Sequence, residues 1–425
     1  MEKYNLLVAG GGFTGVAAAI SAARKGLKVL LVEKSGCLGG AMSNNLIFPF
    51  MPYWTQDPET NETKYLSRGF FEELRLRHME NMWKDHVKHF NSEYMKFLLD
   101  EMTDEANVDV LFHSCIFDVQ KEGRKIESVT VASKSGKFEL EADFYIDATG
   151  DGDLFCFAGC DYQLGRDDDG FCQPMTTCFR VGGVDVDLFK EERANLQNLY
   201  LEKQKSGEIT NPRENILCFF GTGNDVVHFN TTRVIKLDPT NPFELSKAEK
   251  IARRQIDEMM RFLKENSKAF EESTVLSVAG EIGVRESRKL KGEYILTADD
   301  LISCTMFDDS IALGNYDIDI HNPAGTGTSH RYFEKGEFYS IPYRSLLPKE
   351  FDNLLVAGRC ASATHEAQAS IRIMPICCCM GEAAGVACAV AFDSGKNLHN
   401  LDVKQVQSIL RENGAAIFTE DVTNQ

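Results

Sequence analysis

Three glycines near the amino terminus have the spacing that a bound pyrophosphate requires. Gly10, Gly12 and Gly15 fit the pattern G-x-G-x-x-G, in which the first permits a tight turn, the second lets phosphate approach the backbone and the third lets a helix pack against a strand. Glu33 follows Gly15 by 18 residues, close to the ~20 typical of the acidic residue that binds the ribose diol. Because its charge repels a 2′-phosphate, the pattern predicts a site for FAD or NAD and not for NADP.

The elements that must position these residues can be identified around them. Residues 6–9 are predicted to form a buried parallel strand, residues 16–25 a helix capped by Gly26, and residues 28–32 a second strand that ends at Glu33. Amide groups at the start of such a helix point at the phosphates, and the helix dipole favours their negative charge.

A second set of residues could move protons. The alternation over residues 318–321 predicts a strand that delivers Asp319 and His321 to one face, and an imidazole oriented by a carboxylate fits a general base. The alternative is a solvent-facing pair at a strand end. His365 is the rival base, and His330, in a predicted loop, is the third candidate.

Two arginines could bind a substrate. Arg285 and Arg288 stand three positions apart, so they share one face if their segment is helical. Two guanidinium groups there would clamp an anionic or polyhydroxylated molecule. The alternative is that they pair with Glu281, Glu286 or Glu293.

Two glycine-rich stretches follow predicted strands and are expected to bring backbone close to a ligand. Residues 34–44 directly follow the strand that ends at Glu33, and residues 144–153 run from a strand into a turn at Gly150. Asp151 and Asp153 are expected to order the second turn.

Near the carboxyl end the chain is expected to return to the first domain. Residues 352–358 read as a strand, and a helix of small residues begins at Pro375, which suits a first helical turn. Two interpretations are open for such a helix: it packs against the sheet, or its N-terminus faces the bound dinucleotide.

The remaining elements complete a mixed α/β pattern. Residues 51–64 are polar and are expected to be exposed, and residues 160–340 are less regular and suggest an inserted substrate domain. The predicted helices are 70–82, 92–102, 187–204, 246–271 and 402–413, and the predicted strands are 108–112, 116–119, 126–132, 137–140, 177–181 and 226–230. The predicted domains are 1–160 and 341–425, which form one unit, and 161–340.

Composition narrows the possible functions. The chain has 425 residues, a net charge of −18 and no long basic run, which argues against nucleic acid or an anionic membrane as partner. No uninterrupted apolar run of about 18 residues is present, and the amino terminus resembles a core strand, so we expect a cytoplasmic protein. The thirteen cysteines lack zinc or iron–sulfur spacing, so no metal is expected.

Several motifs together resemble one known family. GGGFTG, SGCLGG, IDATGDGD, GVRESRKLKGEY, IPYRSLLPK, NLLVAGRCASATHEAQASIRIM and GEAAGVACAVA are similar to the FAD-dependent oxidoreductases, distant cousins of the succinate dehydrogenase and fumarate reductase flavoproteins. The resemblance implies a Rossmann-like FAD-binding domain with an inserted α+β substrate domain. It also implies non-covalent FAD. The His-Pro-Gly signature of fumarate reductases is missing, which puts a dicarboxylate substrate in doubt.

The resemblance assigns roles by position. The pyrophosphate would lie on Gly10, Gly12 and Gly15, with Phe13 and Thr14, and the ribose on Glu33. The remaining residues expected to contact FAD are Lys34, Gly39, Gly40, Ala41, Met42, Cys115, Ile116, Ala148, Thr149, Gly150, Gly358, Arg359, Ile371, Arg372 and Ile373. Tyr343 and Arg344 are further catalytic candidates on a segment expected beside the flavin.

These observations predict an enzyme that transfers a hydride between a small organic substrate and FAD. Only one dinucleotide fingerprint is present, so electrons would pass to a diffusible acceptor or a partner redox protein. The alternatives are a NAD-dependent dehydrogenase and a flavin-binding subunit of an electron-transfer or RNA-modification assembly. The substrate and the oligomeric state are not predicted.

Overall fold

The computed structural model describes residues 3–80 and 90–423. Its strands are β1 (Tyr4–Ala9), β2 (Val29–Val32), β3 (Trp54–Gln56), β4 (Thr63–Tyr65), β5 (Asp109–Leu111), β6 (Cys115–Glu122), β7 (Lys125–Ser133), β8 (Gly136–Asp147), β9 (Tyr162–Leu164), β10 (Phe179–Gly182), β11 (Cys218–Phe219), β12 (Val227–Phe229), β13 (Thr274–Val278), β14 (Arg288–Leu290), β15 (Ser310–Gly314), β16 (Ile318–His321), β17 (Thr328–Arg331), β18 (Tyr339–Pro342) and β19 (Leu354–Val356). Its α-helices are α1 (Phe13–Ala23), α2 (Ala41–Asn44), α3 (Phe70–Met79), α4 (Ser92–Glu105), α5 (Asp153–Ala158), α6 (Val186–Ser206), α7 (Pro242–Asn266), α8 (Ala298–Ile302), α9 (His365–Ile371), α10 (Met374–Ser394) and α11 (Val403–Glu412).

The main sheet has a parallel part that continues into an antiparallel meander. Its strand order is β5-β2-β1-β8-β7-β6. Strand β19 lies outside this order and pairs with β8. Strand β8 is shared, because its first half pairs antiparallel with β7 and its second half lies parallel to β1 and β19. The predicted α/β fold with a Rossmann-like core is confirmed.

Alternation along β1 divides the core into two layers. Leu6 and Val8 pack into the cluster that includes α1 and α10, while Leu7 and Ala9 face the cluster that includes β6, β7 and α5. Successive side chains of a strand point to opposite faces, so a strand buried on both sides reads as a continuous apolar run. That run is why the sequence identified β1 correctly.

Helix α10 packs directly on α1 through two glycines. A Cβ built on Gly381 would overlap the carbonyl oxygen of Thr14, and one on Gly385 that of Ala18. The small residues of α10 therefore serve a helix-to-helix contact with α1, and the helix also packs on β8 of the sheet, as expected. Over the described ranges α10 is the one helix long and apolar enough to cross a bilayer, and 94% of that window is buried in the protein.

The middle of the chain forms a second, smaller sheet. Strands β11-β12-β10-β13 are antiparallel, and they share an apolar cluster with α6 and α7. Asn241 caps α7 by accepting from the backbone amides of Phe243 and Glu244, and Pro242 occupies its first turn. Residues 310–342, by contrast, contribute Ile311, Tyr339 and Ile341 to the core beside α1. The three-part domain division itself stays a prediction.

Several predicted bounds need correction. The first helix starts at Phe13, three residues early, because Gly12 in an extended conformation is its N-cap. Predicted strands 137–140 and 144–147 are one strand, β8, and the predicted helix 246–271 is α7 followed by a separate 3₁₀ turn at residues 268–270. Residues 51–64 include the hairpin β3–β4. The predicted end of the helix 70–82 lies outside the described residues.

Glu382 in α10 holds the start of α3. Its Oε2 accepts from the backbone amide of Phe70 at 2.9 Å, and its Oε1 accepts from Asn413 at 3.2 Å. Gly69, the N-cap of α3, has no side chain that could cap the helix. Its φ is 62°, and a Cβ there would lie 2.5 Å from Oε2 of Glu382, so glycine leaves room for the carboxyl. Burial raises the pKa of Glu382 to about 7, against the opposing effect of these two hydrogen bonds.

We expect Gly385→Ala to lower the free energy of unfolding by roughly 1–3 kcal/mol or more, because the added methyl group must push α1 and α10 apart. Urea unfolding measures the change. Asp393→Ala, at an exposed position of the same helix, is the control and should shift stability by no more than about 0.5 kcal/mol. Equal effects of the two substitutions would contradict the close contact.

We expect Glu382→Gln to remove part of the pH dependence of stability. The folded protein holds the Glu382 proton more tightly than the unfolded chain, whose glutamate pKa is about 4.3. The contribution is therefore full below that pH and is lost as pH rises towards about 7. Urea unfolding at about pH 5 and about pH 7.5 should show a decline on the order of 2–3 kcal/mol that Glu382→Gln lacks and the exposed control Glu265→Gln retains. Parallel pH curves for wild type and Glu382→Gln would refute this.

Candidate active site

The carboxyl ends of four parallel strands meet at one edge of the main sheet. Ala9 is in register with Val32 on one side and with Asp147 on the other, and Val356 is in register with Asp147. The loops that follow these residues therefore lie together. In open α/β sheets this edge, where the strand order reverses, is where ligands bind.

A cavity of about 720 Å³ opens at this edge and extends to the middle of the chain. The predicted cofactor residues that line it are Gly10, Gly12, Phe13, Thr14, Glu33, Lys34, Gly39, Gly40, Ala41, Ala148, Thr149, Gly150, Arg359, Arg372 and Ile373. The predicted catalytic residues that line it are Arg285, Asp319 and His321. The structure thus joins the two predicted sites in one space.

The first turn is built for close backbone approach. Gly10 has φ of 98°, and a Cβ there would lie 2.5 Å from the carbonyl oxygen of Ala148. Gly15 lies against the carbonyl of Gly10 and not against the cavity. Gly12 begins α1 without a side-chain cap, so the amide groups of the first turn are available to an anion. This division of roles among the three glycines is the one predicted.

Glu33 is buried and joins two loops. Its Oε2 accepts from the amide of Gly11 at 2.6 Å and its Oε1 from the amide of Ser35 at 2.7 Å, and only 4% of the residue is exposed. A carboxylate has about four acceptor sites, so capacity remains for the hydroxyls of a ribose at the cavity wall.

The second glycine loop closes over the first. The amide of Gly39 donates to the carbonyl of Gly11 at 2.8 Å, and Gly40, with φ of 52°, lies so near Gly12 that a Cβ would be 2.8 Å from its Cα. Lys34 pairs with Glu281 at 3.2 Å. A side chain at Gly40 would push the two loops apart, and one at Gly39 would overlap Met42 and Ser43.

Asp147 orders the third loop. It is fully buried and accepts from the amide and hydroxyl of Thr149 and from the amide of Phe155. Arg359 then ties this loop to the next strand, since it donates to the carbonyl of Gly150 at 2.9 Å and to Asp151 at 2.6 Å. Asp153 pairs with Arg288 at 2.8 Å. Asp151 and Asp153 order the turn, as predicted.

Residues of α10 complete the wall. Ile373, Met374 and Cys377 line the cavity at the start of this helix. The 21-residue helix carries Pro375 in its first turn, so its positive end meets the cavity. Glycine cradles, an uncapped helix start and a buried acidic acceptor are the features that bind FAD, and the residues present fit it.

Some predicted cofactor residues do not reach the cavity. Gly358 abuts the side chain of Thr14, and Met42 and Ile371 are core residues. Ile116 is buried in the meander layer, and Cys115 is exposed at the start of β6. Their placement beside FAD stays a prediction that the cavity does not support.

At the far end of the cavity, Asp319 and His321 face the same side of β16. His321 Nε2 lies 3.2 Å from Asp319 Oδ2. His321 Nδ1 lies 3.1 Å from a guanidinium nitrogen of Arg213 and 3.1 Å from one of Arg233. Since arginine only donates, Nδ1 must accept and Nε2 carries the proton.

His321 is therefore held neutral and fully bonded. Burial lowers the pKa of His321 well below its usual value, and the charge of Arg285 adds to this. Burial alone would raise the pKa of Asp319, but the hydrogen bond from His321 and the charges of Arg372 and Arg285 outweigh it and keep the carboxyl ionised. The predicted pairing is confirmed, but a ring with no free lone pair is a poor general base.

His330 has the geometry that His321 lacks. It lies opposite Asp319 in the β16–β17 register and lines the cavity. Its Nδ1 is 2.6 Å from Asp317, while its Nε2 is 3.6 Å from Asp319 Oδ1, beyond hydrogen-bond distance. A ring that donates from Nδ1 has Nε2 as its acceptor, and this nitrogen lies on the side of Asp319.

The expected clamp of Arg285 and Arg288 is wrong. Their segment is not helical before β14 begins at Arg288, so the two guanidinium groups diverge. Arg285 lines the cavity, whereas Arg288 turns to Asp153. Within the described part of the chain, neither arginine forms an ion pair with Glu281, Glu286 or Glu293.

Three other catalytic candidates lie away from the cavity. His365 is buried against Glu286 at 2.8 Å, and Glu286 also binds Lys289. Tyr343 donates from a fully buried hydroxyl to the carbonyl of Leu398. Arg344 is half-exposed and pairs with Asp309. Because each of the three side chains binds another part of the protein, we assign them structural roles.

Sequence reasoning missed Arg213, Arg233 and Tyr316, which all line or adjoin the cavity's far end. They come from irregular segments outside the named helices and strands, and isolated arginines there carry no pattern. Over the described residues, no group of three or more His, Cys, Asp or Glu side chains could hold a metal.

Fold and cavity define a dinucleotide-binding flavoprotein. The sequence matches the family described as FAD dependent oxidoreductase over residues 5–410, and the chain belongs to this family. The alternative of a NAD-dependent dehydrogenase is thereby set aside.

Several solved structures are similar in outline. A geranylgeranyl bacteriochlorophyll reductase-like protein from Thermoplasma acidophilum is 14% identical, with 97% of this chain and 84% of that chain covered and a TM-score of 0.46. A flavin-dependent brominase is 12% identical (97% and 83% covered, TM-score 0.46). The p-nitrophenol 4-monooxygenase of Pseudomonas putida is 10% identical (98% and 82% covered, TM-score 0.45).

We expect Glu33→Gln to raise the dissociation constant for FAD about tenfold or more, because an amide cannot accept from both Gly11 and Ser35 and loses charge-assisted hydrogen bonds. Visible absorbance of the purified protein, followed during titration with FAD, measures it. Glu265→Gln, at an exposed position of α7, should bind FAD like the wild type. Unchanged FAD affinity in Glu33→Gln would remove Glu33 from the cofactor site.

Proposed function

We propose that the protein transfers a hydride between a small organic molecule and non-covalently bound FAD, and that His330 exchanges the accompanying proton. The observation that carries this proposal is the continuity of one cavity from the glycine loops to Asp319 and His330. A cofactor on the loops and a substrate at the far end would share that space.

The residues of the sheet edge would hold the cofactor. Amide groups at the start of α1 would bind the pyrophosphate, Glu33 the ribose, and the start of α10 would stabilise negative charge on the reduced ring. When bound, FAD supplies a ring that accepts or returns a hydride. We assign no covalent link to the flavin.

His330 would serve as general base or acid. An O–H or N–H proton must leave when a hydride leaves the neighbouring carbon. The hydrogen bond to Asp317 would orient the ring, and Nε2, which lies 3.6 Å from Asp319 Oδ1 and makes no hydrogen bond there, would exchange the proton. His321, whose two nitrogens are occupied, instead fixes the positions of Asp319 and the arginines.

The electron acceptor is proposed to be a diffusible molecule or a partner redox protein. The sequence carries one dinucleotide fingerprint and no second one for a pyridine nucleotide, which supports this. We also propose a cytoplasmic location, which the thirteen free thiols support, because thiols persist in reducing compartments.

Anaerobic reduction tests the proposal. The FAD-loaded protein is mixed with small hydroxy acids, amines, sugars and sterols, and loss of the visible flavin absorbance is recorded. Bleaching by one class of compound would support hydride transfer. Protein that stays colourless after incubation with FAD would contradict the cofactor assignment.

We expect His330→Asn to slow anaerobic bleaching by the active compound at least about 100-fold, in the range of general acid–base catalysis, without changing FAD content. His399→Asn, which alters a histidine bonded to the carbonyl of Phe351 away from the cavity, is the matched control. A His330→Asn rate equal to that of the control would assign the proton to another group.

A further inference from the structure

We infer that the far end of the cavity binds an oxyanion of the substrate, a carboxylate or a phosphate group, between Arg285 and Arg372. This inference rests on the proposed function, because it names the class of molecule that would meet the flavin. It does not depend on which group exchanges the proton.

Four arginines converge on this end of the cavity. Arg213, Arg233 and Arg285 are 4%, 1% and 8% exposed, and Arg213, Arg285 and Arg372 line the cavity wall. Arg213 and Arg233 both reach Nδ1 of His321, and Arg372 lies 3.5 Å from Asp319. Such a concentration of buried cations needs compensation.

Two of the four are occupied by the protein itself. Arg233 donates to the carbonyls of Gly325 and Gly327 and pairs with Glu214 at 3.2 Å. Arg213 donates to Asn215 at 2.9 Å and to His321. Arg233 therefore has few donors left for a ligand, and Arg213 is held in place by Asn215 and His321.

Arg285 and Arg372 keep unused donors. Arg285 donates to the carbonyl of Pro174 at 2.6 Å and weakly to Asn230 at 3.4 Å, and within the described chain no carboxylate lies within 4 Å of it. Arg372 reaches Asp319 only at 3.5 Å, and its buried Nε has no partner. Because each guanidinium carries five N–H donors, both can still bind a planar or tetrahedral oxyanion.

The protein's own carboxylates do not balance these charges. Asp319 and Glu214 face the four arginines, and Oδ2 of Asp319 is already shared by His321 and Tyr316. His321 adds no charge, because it is held neutral. The cluster therefore keeps two more cations than anions, and burial together with the charges of Arg372 and Arg213 lowers the pKa of Arg285 to about 9.

Other cations in this chain show that the excess is local. Arg288 pairs with Asp153, Arg359 with Asp151 and Lys289 with Glu286. An unpaired buried cation normally destabilises a protein, so its presence at a cavity wall points to a ligand that supplies the missing charge.

Binding of simple anions to the FAD-loaded protein tests the inference. Acetate, malonate and inorganic phosphate are titrated at constant ionic strength with neutral acetamide as the control, and both the flavin spectrum and the thermal midpoint are followed. We expect at least one anion, but not acetamide, to raise the midpoint by mass action. Response to the carboxylates or to phosphate identifies the substrate group.

Variants separate a binding role from a structural one. Arg285→Met and Arg372→Met should weaken anion binding at least about tenfold, while Arg285→Lys keeps the charge and should lose less. Without anion, Arg285→Met should melt no lower than the wild type, because it relieves repulsion among like charges. Arg261→Met, at a 69% exposed side chain of α7, is the control.

The outcomes remain distinguishable. A normal flavin spectrum with no midpoint response to any of the three anions would overturn the oxyanion site and leave the flavoenzyme proposal standing. Equal anion affinity in wild type and Arg285→Met would overturn it as well. Protein that fails to take up FAD would count against the proposed function, and the thermal midpoint would still report anion binding.

Discussion

The structure depends on contacts between backbone and backbone that only glycine permits. Gly10 meets Ala148, Gly40 meets Gly12, and Gly381 and Gly385 meet the carbonyls of α1. At each contact the absence of a side chain lets two backbones touch. These contacts join α1 to the sheet, to the second glycine loop and to α10. Without them the start of α1 could not lie at the sheet edge, and the glycine loops that line the cavity would be displaced.

The same edge shows how a parallel sheet gathers distant residues. Glu33, Asp147 and Arg359 belong to segments far apart in the chain, yet each directly follows a parallel strand or ends it. Register alone brings them together, and buried hydrogen bonds from Glu33 and Asp147 to loop amides then fix the loops. Loop geometry here is set by acceptors that are buried and ionisable, which is costly unless they are fully bonded.

At the other end of the cavity, the neighbouring side chains decide which nitrogen of each histidine carries the proton. His321 and His330 come from adjacent strands and carry the same side chain, but one contacts two guanidinium groups and the other a carboxylate. The first is thereby confined to accepting at Nδ1 and the second to donating there. Chemical role follows from these partners, and residue type alone does not reveal it.

The sequence by itself determined the dinucleotide turn, the strand–helix–strand unit around it, the acidic residue at the end of β2 and the pairing of Asp319 with His321. These depend on short spacings and on alternation, which act over a few residues. Only the tertiary structure decided that Arg285 and Arg288 diverge, that His365 belongs to a buried charge cluster, and that Arg213 and Arg233 reach His321. Such contacts join segments up to 135 positions apart, and no local pattern records which loops a folded chain brings face to face.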